Sequence, residues 1–403
     1  MTCNIFRKTS YVFATTLICT GTVAAETTFT EAFTEGKPYG DFRLRYENVD
    51  QDNPLDNANA LTLRTRLGYQ TGDYHGLSGL LEFEDSRSVA GVDDFNNTQG
   101  KNTDHSVVAD PETTEVDQAV LQYTNSGLKA KLGRQVIVYD NHRFVGHVGW
   151  RQDRQTFDAL RLNYSPLADL SLDYAYLNKR NRIFAEAGDI DSKDHLINAS
   201  YQTGVGTLVS YAYLLEVDEG ADNSLDTYGL RYAGKAAMDT LNLLFELEFA
   251  SQEADAGTSD FDANYYKALA GVEAAGLTFK LSYEVLGSDD GDFGFSTPLA
   301  TLHAHNGWTD QFLGTPGGGL EDLKLAVSGS LAKGKWMLVY HDFNAEDAPS
   351  SADDLGSEVG VSYKRGFGKH YSAGIKYASY MAGDDATGKV DTDKLWLTLG
   401  ARF

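Results

Sequence analysis

In segment after segment this sequence alternates apolar and polar side chains. A period of 2 commits such segments to β-strands, where successive side chains point to opposite faces. In residues 393–403, Leu395, Leu397, Leu399, Ala401 and Phe403 share one face, and Lys394, Trp396, Thr398, Gly400 and Arg402 share the other. Near the start, Phe42, Leu44 and Tyr46 oppose Asp41, Arg43, Arg45 and Glu47, and Leu61, Leu63, Leu67 and Tyr69 oppose Arg64 and Arg66. The alternation is cleanest through residues 241–249, 277–285 and 371–377.

The connections carry a second rhythm. Long polar ones near 50–58, 86–113, 135–153, 178–193, 216–224, 251–262, 287–320, 344–356 and 382–391 alternate with short ones near 73–75, 125–127, 165–168, 203–205, 233–238, 274–276, 332–335 and 366–369. Nine long and eight short connections join 18 strands and bring both termini to one end. Strands of about 9–11 residues suit a tilted membrane crossing. All seven prolines are expected in connections or in the lead-in, because proline cannot donate to a ladder. Closing such strands on themselves pairs every backbone group, as lipid requires. The expected fold is all-β: one transmembrane antiparallel β-barrel of about 18 strands over residues 39–403, with short periplasmic turns and long extracellular loops. A soluble multi-sheet β protein would show outward faces rich in Lys, Glu and Thr, and no long/short rhythm.

Residues 1–25 read as a secretory signal: Arg7 and Lys8, an apolar run from Tyr11 to Cys19, then Val23-Ala24-Ala25 at the cleavage site. That run falls short of the ~20 residues of a membrane helix. Residues 26–38 read as a periplasmic N-terminal segment. Cys3 and Cys19 leave with the signal, so the mature chain can form neither a disulfide nor a cysteine metal site. It retains 32 basic and 58 acidic residues, a net charge of −26, which argues against nucleic acid as a partner. A mean hydropathy of −0.36 excludes a helical membrane protein, yet suits a barrel whose alternate residues face water. The last strand, ending on Phe403, resembles the closing strand of outer-membrane barrels. That resemblance implies recognition by the outer-membrane assembly machinery, with membrane lipid and lipopolysaccharide around the wall. The expected location is the outer membrane of a Gram-negative bacterium.

A barrel of this strand count encloses an aqueous lumen, so the inward residues carry the function. Arg43, Arg45, Arg64 and Arg66 concentrate guanidinium groups beside the closing seam, and Lys129, Lys131 and Arg161 extend the basic wall. Guanidinium forks bind carboxylate and phosphate in bidentate fashion. The bland alternative pairs these cations with inward acids such as Glu82, Glu84, Asp173, Glu246, Glu248 and Glu284. The third long connection is apolar and basic, with Arg143, Arg151 and Arg154, and is expected to fold inward and narrow the lumen.

The runs Gly133-Arg134-Gln135, Asp140-Asn141-His142-Arg143-Phe144-Val145-Gly146, Trp150-Arg151-Gln152 and Thr156-Phe157-Asp158-Ala159 resemble the alginate export family of outer-membrane porins. The resemblance implies an 18-stranded barrel and an arginine-rich, loop-gated pore, with Arg134, Arg143, Arg151, Arg154 and Arg161 in the conduction path. Glu82, Glu84, Glu246 and Glu248 depart from it, since they would repel a uronate chain. The expectation is a channel for passive diffusion of small hydrophilic, possibly anionic, solutes, the alternative being an export channel for an acidic polysaccharide such as alginate. No catalytic set is expected: His195 and His341 lie in strands without a nucleophile motif. No cofactor is expected, and no metal: residues 288–292 (Ser-Asp-Asp-Gly-Asp) lack a complete Ca²⁺-loop spacing.

Overall fold

The computed structural model describes residues 28–218, 223–349 and 351–403, and the expected signal, residues 1–25, lies outside them. Eighteen strands form one antiparallel sheet closed into a barrel. The first thirteen are β1 (Lys37–Gln51), β2 (Ala58–Gln70), β3 (Leu77–Asp94), β4 (Thr113–Asn125), β5 (Leu128–Gln135), β6 (Thr156–Leu167), β7 (Leu170–Asn181), β8 (Ile190–Gln202), β9 (Gly206–Glu216), β10 (Ser224–Ala237), β11 (Leu241–Asp255), β12 (Asp260–Ala274) and β13 (Leu277–Leu286). A miniature hairpin of β14 (Ser288–Asp289) and β15 (Phe293–Gly294) stands apart from the wall. The wall resumes with β16 (Leu320–Leu331), β17 (Gly334–Asn344), β18 (Asp354–Phe367), β19 (Tyr371–Met381) and β20 (Thr392–Arg402). Wall strands pair with their neighbours in sequence, and β20 closes on β1, with Asp41 opposite Arg402 and Gln51 opposite Thr392.

The two faces of this wall differ in the way the alternation requires. Leu67, Phe83, Leu121, Leu132, Leu230, Leu247 and Leu399 stand exposed on the outside, whereas Arg45, Glu47, Glu84, Asp194 and Glu358 are buried inside. A soluble protein would have the reverse arrangement; this one is favourable where the outside of a barrel meets hydrocarbon. Two tight connections use left-handed backbone: Ser126-Gly127 between β4 and β5, and Ala275-Gly276 between β12 and β13, all four with positive φ. Two-residue hairpins need that geometry to match the strand twist.

Several expectations need correction. The lead-in is not featureless: Phe29–Thr34 form a short helix, α1, closed by a capping box in which Thr28 and Glu31 satisfy each other's backbone N–H groups. Its Phe29 and Phe33, four residues apart, meet Tyr74 and Tyr69 beside the barrel mouth. The wall begins at Lys37, so Pro38 lies in β1, and Pro166 lies in β6. Both positions spare the ladder: pairing of β1 with β20 begins only at Asp41, and Pro166 sits where the β6–β7 register breaks. The long/short rhythm is also looser than expected. β11 and β12 absorb most of the connection expected at 251–262, leaving residues 256–259, and the turn after β2 spans residues 71–76.

Candidate functional site

Register on adjacent strands assembles the guanidinium row. Arg43 of β1 lies directly opposite Arg64 of β2, and Asp41 lies opposite Arg66. Asp41 holds Arg64 at 2.5 Å and Arg402 at 2.7 Å. Arg66 pairs with Glu84 and lies 3.5 Å from Asp117, while Arg45 pairs with Asp110 and stacks over the Trp150 ring at 5.1 Å. Arg43 is different. It donates to the Gln152 side chain at 2.9 Å, to the Gly149 carbonyl at 2.8 Å and to the Arg151 carbonyl, and forms no ion pair with a carboxylate among the described residues.

Those carbonyls belong to the third long connection, L3 (residues 136–155), which folds into the lumen. Ile137, Val145 and Phe144 drive it there: Ile137 and Val145 are buried, and the Phe144 ring sits among Tyr211, Tyr265 and Phe295 at 5.1–6.0 Å. Burying such side chains stabilises the infolded loop by about 1.5–3 kcal/mol each. The three arginines of L3 are consumed in anchoring it. Arg143 pairs with Glu284 at 3.0 Å, and Arg151 with Glu47 and Asp310, each at 3.1 Å. Arg154 pairs with Glu82 and with Asp117, which is 2.5 Å away. Arg143 and Arg151 are buried in these pairs, so the expectation that they line a constriction as open cations needs correction.

A second loop, L7 (residues 287–319), also enters the lumen, and the sequence pattern did not reveal it. Glu358 accepts the backbone N–H groups of Trp308 and Thr309. Asp310 accepts from His303, Lys394 and Arg151 at 2.7–3.1 Å, tying L7 to L3. The two loops meet where Trp150 stacks on His303 at 4.0 Å. The Lys376 ammonium of β19 lies 4.2 Å from the Trp150 ring and 3.9 Å from the Trp308 ring. Trp396 completes this aromatic floor, edge-on to Trp150 at 5.4 Å. Its inward parity among Lys394, Thr398 and Arg402 was the available signal; Trp308 offered none.

Between this floor and the end where α1 and Phe403 lie is a cavity of 1080 Å³. Nine cationic side chains line it (Arg43, Arg45, Arg64, Arg66, Arg154, Lys364, Lys369, Lys376 and Arg402) against two acidic ones, Asp41 and Glu82. The enclosure is therefore basic inside a chain whose net charge is −24. Burial and then the nearby cationic groups push His147 of L3 down to about 4. Burial and then Lys376 hold His303 down at about 3, against the pull of Asp310. Both rings are neutral at pH 7.

The remaining residues of the expected site separate from it. Arg161 faces the lumen but is held by Asp173 at 2.9 Å and lies over Tyr139. Lys129 and Lys131 lie opposite Asn163 and Arg161 on the same wall, away from the vestibule. Arg134 is misassigned: it shares the outward face with Leu132, opposite Asp158, which shares its own outward face with Leu160. The Arg134–Asp158 pair, at 2.8 Å, lies on the outside of the barrel. Residues 288–292 form the small hairpin and its turn, and make no metal-compatible cluster among the described residues.

A family model described as alginate export matches residues 39–284. No curated protein matches the chain in sequence. Among solved structures, the chain is similar to OccK9 (OpdG) of Pseudomonas aeruginosa, with 15% identity over 92% of this chain and 99% of that one, and a TM-score of 0.74. OccAB4 of Acinetobacter baumannii gives 13% identity over 91% and 98%, and a TM-score of 0.73. The outer membrane protein OpdK of Pseudomonas aeruginosa, in its structure with vanillate, gives 14% over 92% and 99%, and a TM-score of 0.72. At these identities the likeness is one of fold.

Proposed function

The chain belongs to the alginate export family, and we propose that it is an outer-membrane channel through which small hydrophilic anions diffuse passively. The observation that carries this reading is the vestibule, with nine cations against two acids in one cavity. A low-dielectric wall around one sign of charge concentrates solutes of the opposite sign. Arg43, which has no carboxylate partner, and the exposed Arg402 and Lys364 are the groups from which an incoming carboxylate would accept hydrogen bonds. Trp150, the least buried ring of the aromatic floor, adds an apolar edge at the cavity lining, which suits carboxylates carrying a ring. The similar OpdK has a structure with vanillate, an aromatic carboxylate. In this reading the end carrying α1 and the termini faces the periplasm, the opposite loops face lipopolysaccharide, and β20 is the strand the assembly machinery engages.

Export of an acidic polysaccharide is the second reading, and one observation favours it. The acids that would repel a uronate chain are neutralised: Glu82 by Arg154, Glu84 by Arg66, and Glu246 by Arg231, which lies 3.8 Å from Glu248. Against it, a polymer could pass only if L3 and L7 left their buried ion pairs. Permeation into vesicles containing the protein separates the two. Benzoate and glucuronate should enter faster than neutral sugars of equal size, by ~10-fold or more, and uronate oligomers should enter poorly. Oligomers entering as fast as the monomer would favour export, and equal rates for charged and neutral monomers would count against an anion channel.

A further inference from the structure

Three carboxyl groups converge where L3 rejoins the wall: Glu84 of β3, Glu115 of β4 and Asp153 of L3. Glu84 lies directly opposite Glu115, a placement that disfavours two like charges. Asp153, fully buried, is pressed against both, and one oxygen from each residue lies within 4.8 Å of the other two.

Their partners do not balance their charge. Glu84 accepts from Arg66 Nε and from the Arg154 backbone N–H. Asp153 Oδ2 accepts the Ala185 N–H at 3.3 Å, while Oδ1 is buried without a donor. Neither Glu115 nor Asp153 is ion-paired with a lysine or arginine among the described residues. With Arg66 assigned to Glu84, two carboxylates remain. Ser86, two residues along the same face of β3, also has a buried oxygen without a partner.

Unpaired buried carboxylates must be neutralised by a proton or a cation. Oxygens bound to one Ca²⁺ at 2.3–2.6 Å lie no more than about 5 Å apart, and this cluster meets that bound. Every donor is oxygen, which selects hard divalent ions, and the irregular arrangement suits Ca²⁺ better than octahedral Mg²⁺. We propose that Glu84, Glu115 and Asp153 bind a divalent cation, Ca²⁺ fitting best, that clamps L3 to β3 and β4. With Asp153 Oδ1 buried and without a donor, the site holds either the ion or a proton. The inference stands apart from what the channel carries.

Calorimetric titration of CaCl₂ into the EDTA-stripped mature protein in detergent tests it, with thermal unfolding as a second readout. The wild type should bind one Ca²⁺ tightly and unfold at a higher temperature with Ca²⁺ than with EDTA. Asp153→Asn removes a direct ligand, so affinity should fall by at least the ~10-fold that losing an outer partner costs. Asp290→Asn in the exposed hairpin should leave it unchanged. Glu115→Gln serves if Asp153→Asn does not fold. Equal Ca²⁺ affinity in wild type and both cluster variants would overturn the proposal, as would no binding of Ca²⁺, Mg²⁺ or Mn²⁺ by the wild type, which would leave a proton-sharing cluster.

Discussion

Arg143 anchors L3 from a position with almost no solvent contact: its side chain is 1% exposed and pairs with Glu284 at 3.0 Å. Arg143→Ala leaves that carboxylate buried with the Tyr265 hydroxyl at 2.6 Å, Asn306 at 2.8 Å and Lys267 at 3.9 Å. Breaking a buried pair on one side costs about 3–5 kcal/mol. The three surviving partners put this case at the lower end, about 3 kcal/mol. At 1.36 kcal/mol per factor of ten, L3 should then be released on the order of 100-fold more often. Both native cysteines precede residue 26, so in a chain expressed from residue 26 onward Val145→Cys would be the single thiol, at a position 1% exposed. Maleimide labelling of that thiol, under conditions where reclosing outruns reaction, reads the open population directly. The labelling rate should rise on the order of 100-fold when Arg143→Ala is added. An increase below about tenfold, less than 1.4 kcal/mol, would refute the idea that this pair holds the loop.

Phe144→Ala should free L3 by a different route, costing about 3–5 kcal/mol of aromatic packing and giving larger, noisier single-channel currents. His147 should make L3 sensitive to acid. Its folded value of about 4 lies below the unfolded 6.5, so its contribution to stability is complete above pH 6.5 and is lost as pH falls towards 4. Channel recordings should show loop flicker appearing over that window, and His147→Gln should remove it. Asp153 should behave oppositely in EDTA, because its folded value of about 10 exceeds the ordinary 3.8. Its contribution is complete below pH 3.8 and is lost as pH rises towards 10, so Asp153→Asn should gain on wild type at pH 8 and not at pH 4. On the outer face, Leu247→Arg puts a charge among side chains facing lipid and should cost up to about 2–4 kcal/mol in a bilayer folding titration.

The barrel was legible because period 2 is a strong signal when repeated 18 times, and because inward charge and outward leucine follow from it directly. The guanidinium row followed from the same parity, whereas the error at Arg134 came with the family resemblance: Leu132 fixes the outward face of β5, and counting two residues on places Arg134 outside. L3 announced itself through Ile137, Phe144 and Val145, apolar residues that a loop in water would not keep. L7 carries the same signal in Phe295, Leu299, Trp308 and Phe312, all buried, but spreads it over a long connection rich in glycine and polar residues, and its polar anchors, Asp310 and the N–H groups that meet Glu358, follow no pattern in sequence. The fate of the L3 arginines was also invisible. The carboxylate partners of Arg143 and Arg151, Glu284, Glu47 and Asp310, lie more than 100 residues away in sequence, and only the closed fold brings them within reach.

The lumen is expected to select anions through wall cations left without carboxylate partners, while the L3 arginines hold the loop in place. Reversal potential in planar bilayers under a KCl gradient measures this directly. Wild type should be anion-selective, Arg43→Gln combined with Lys364→Gln should reduce that selectivity, and Arg143→Ala should alter current noise while leaving selectivity in place. Cation selectivity in the wild type, or selectivity that follows Arg143 and ignores Arg43, would mean that the wall cations do not select the solute.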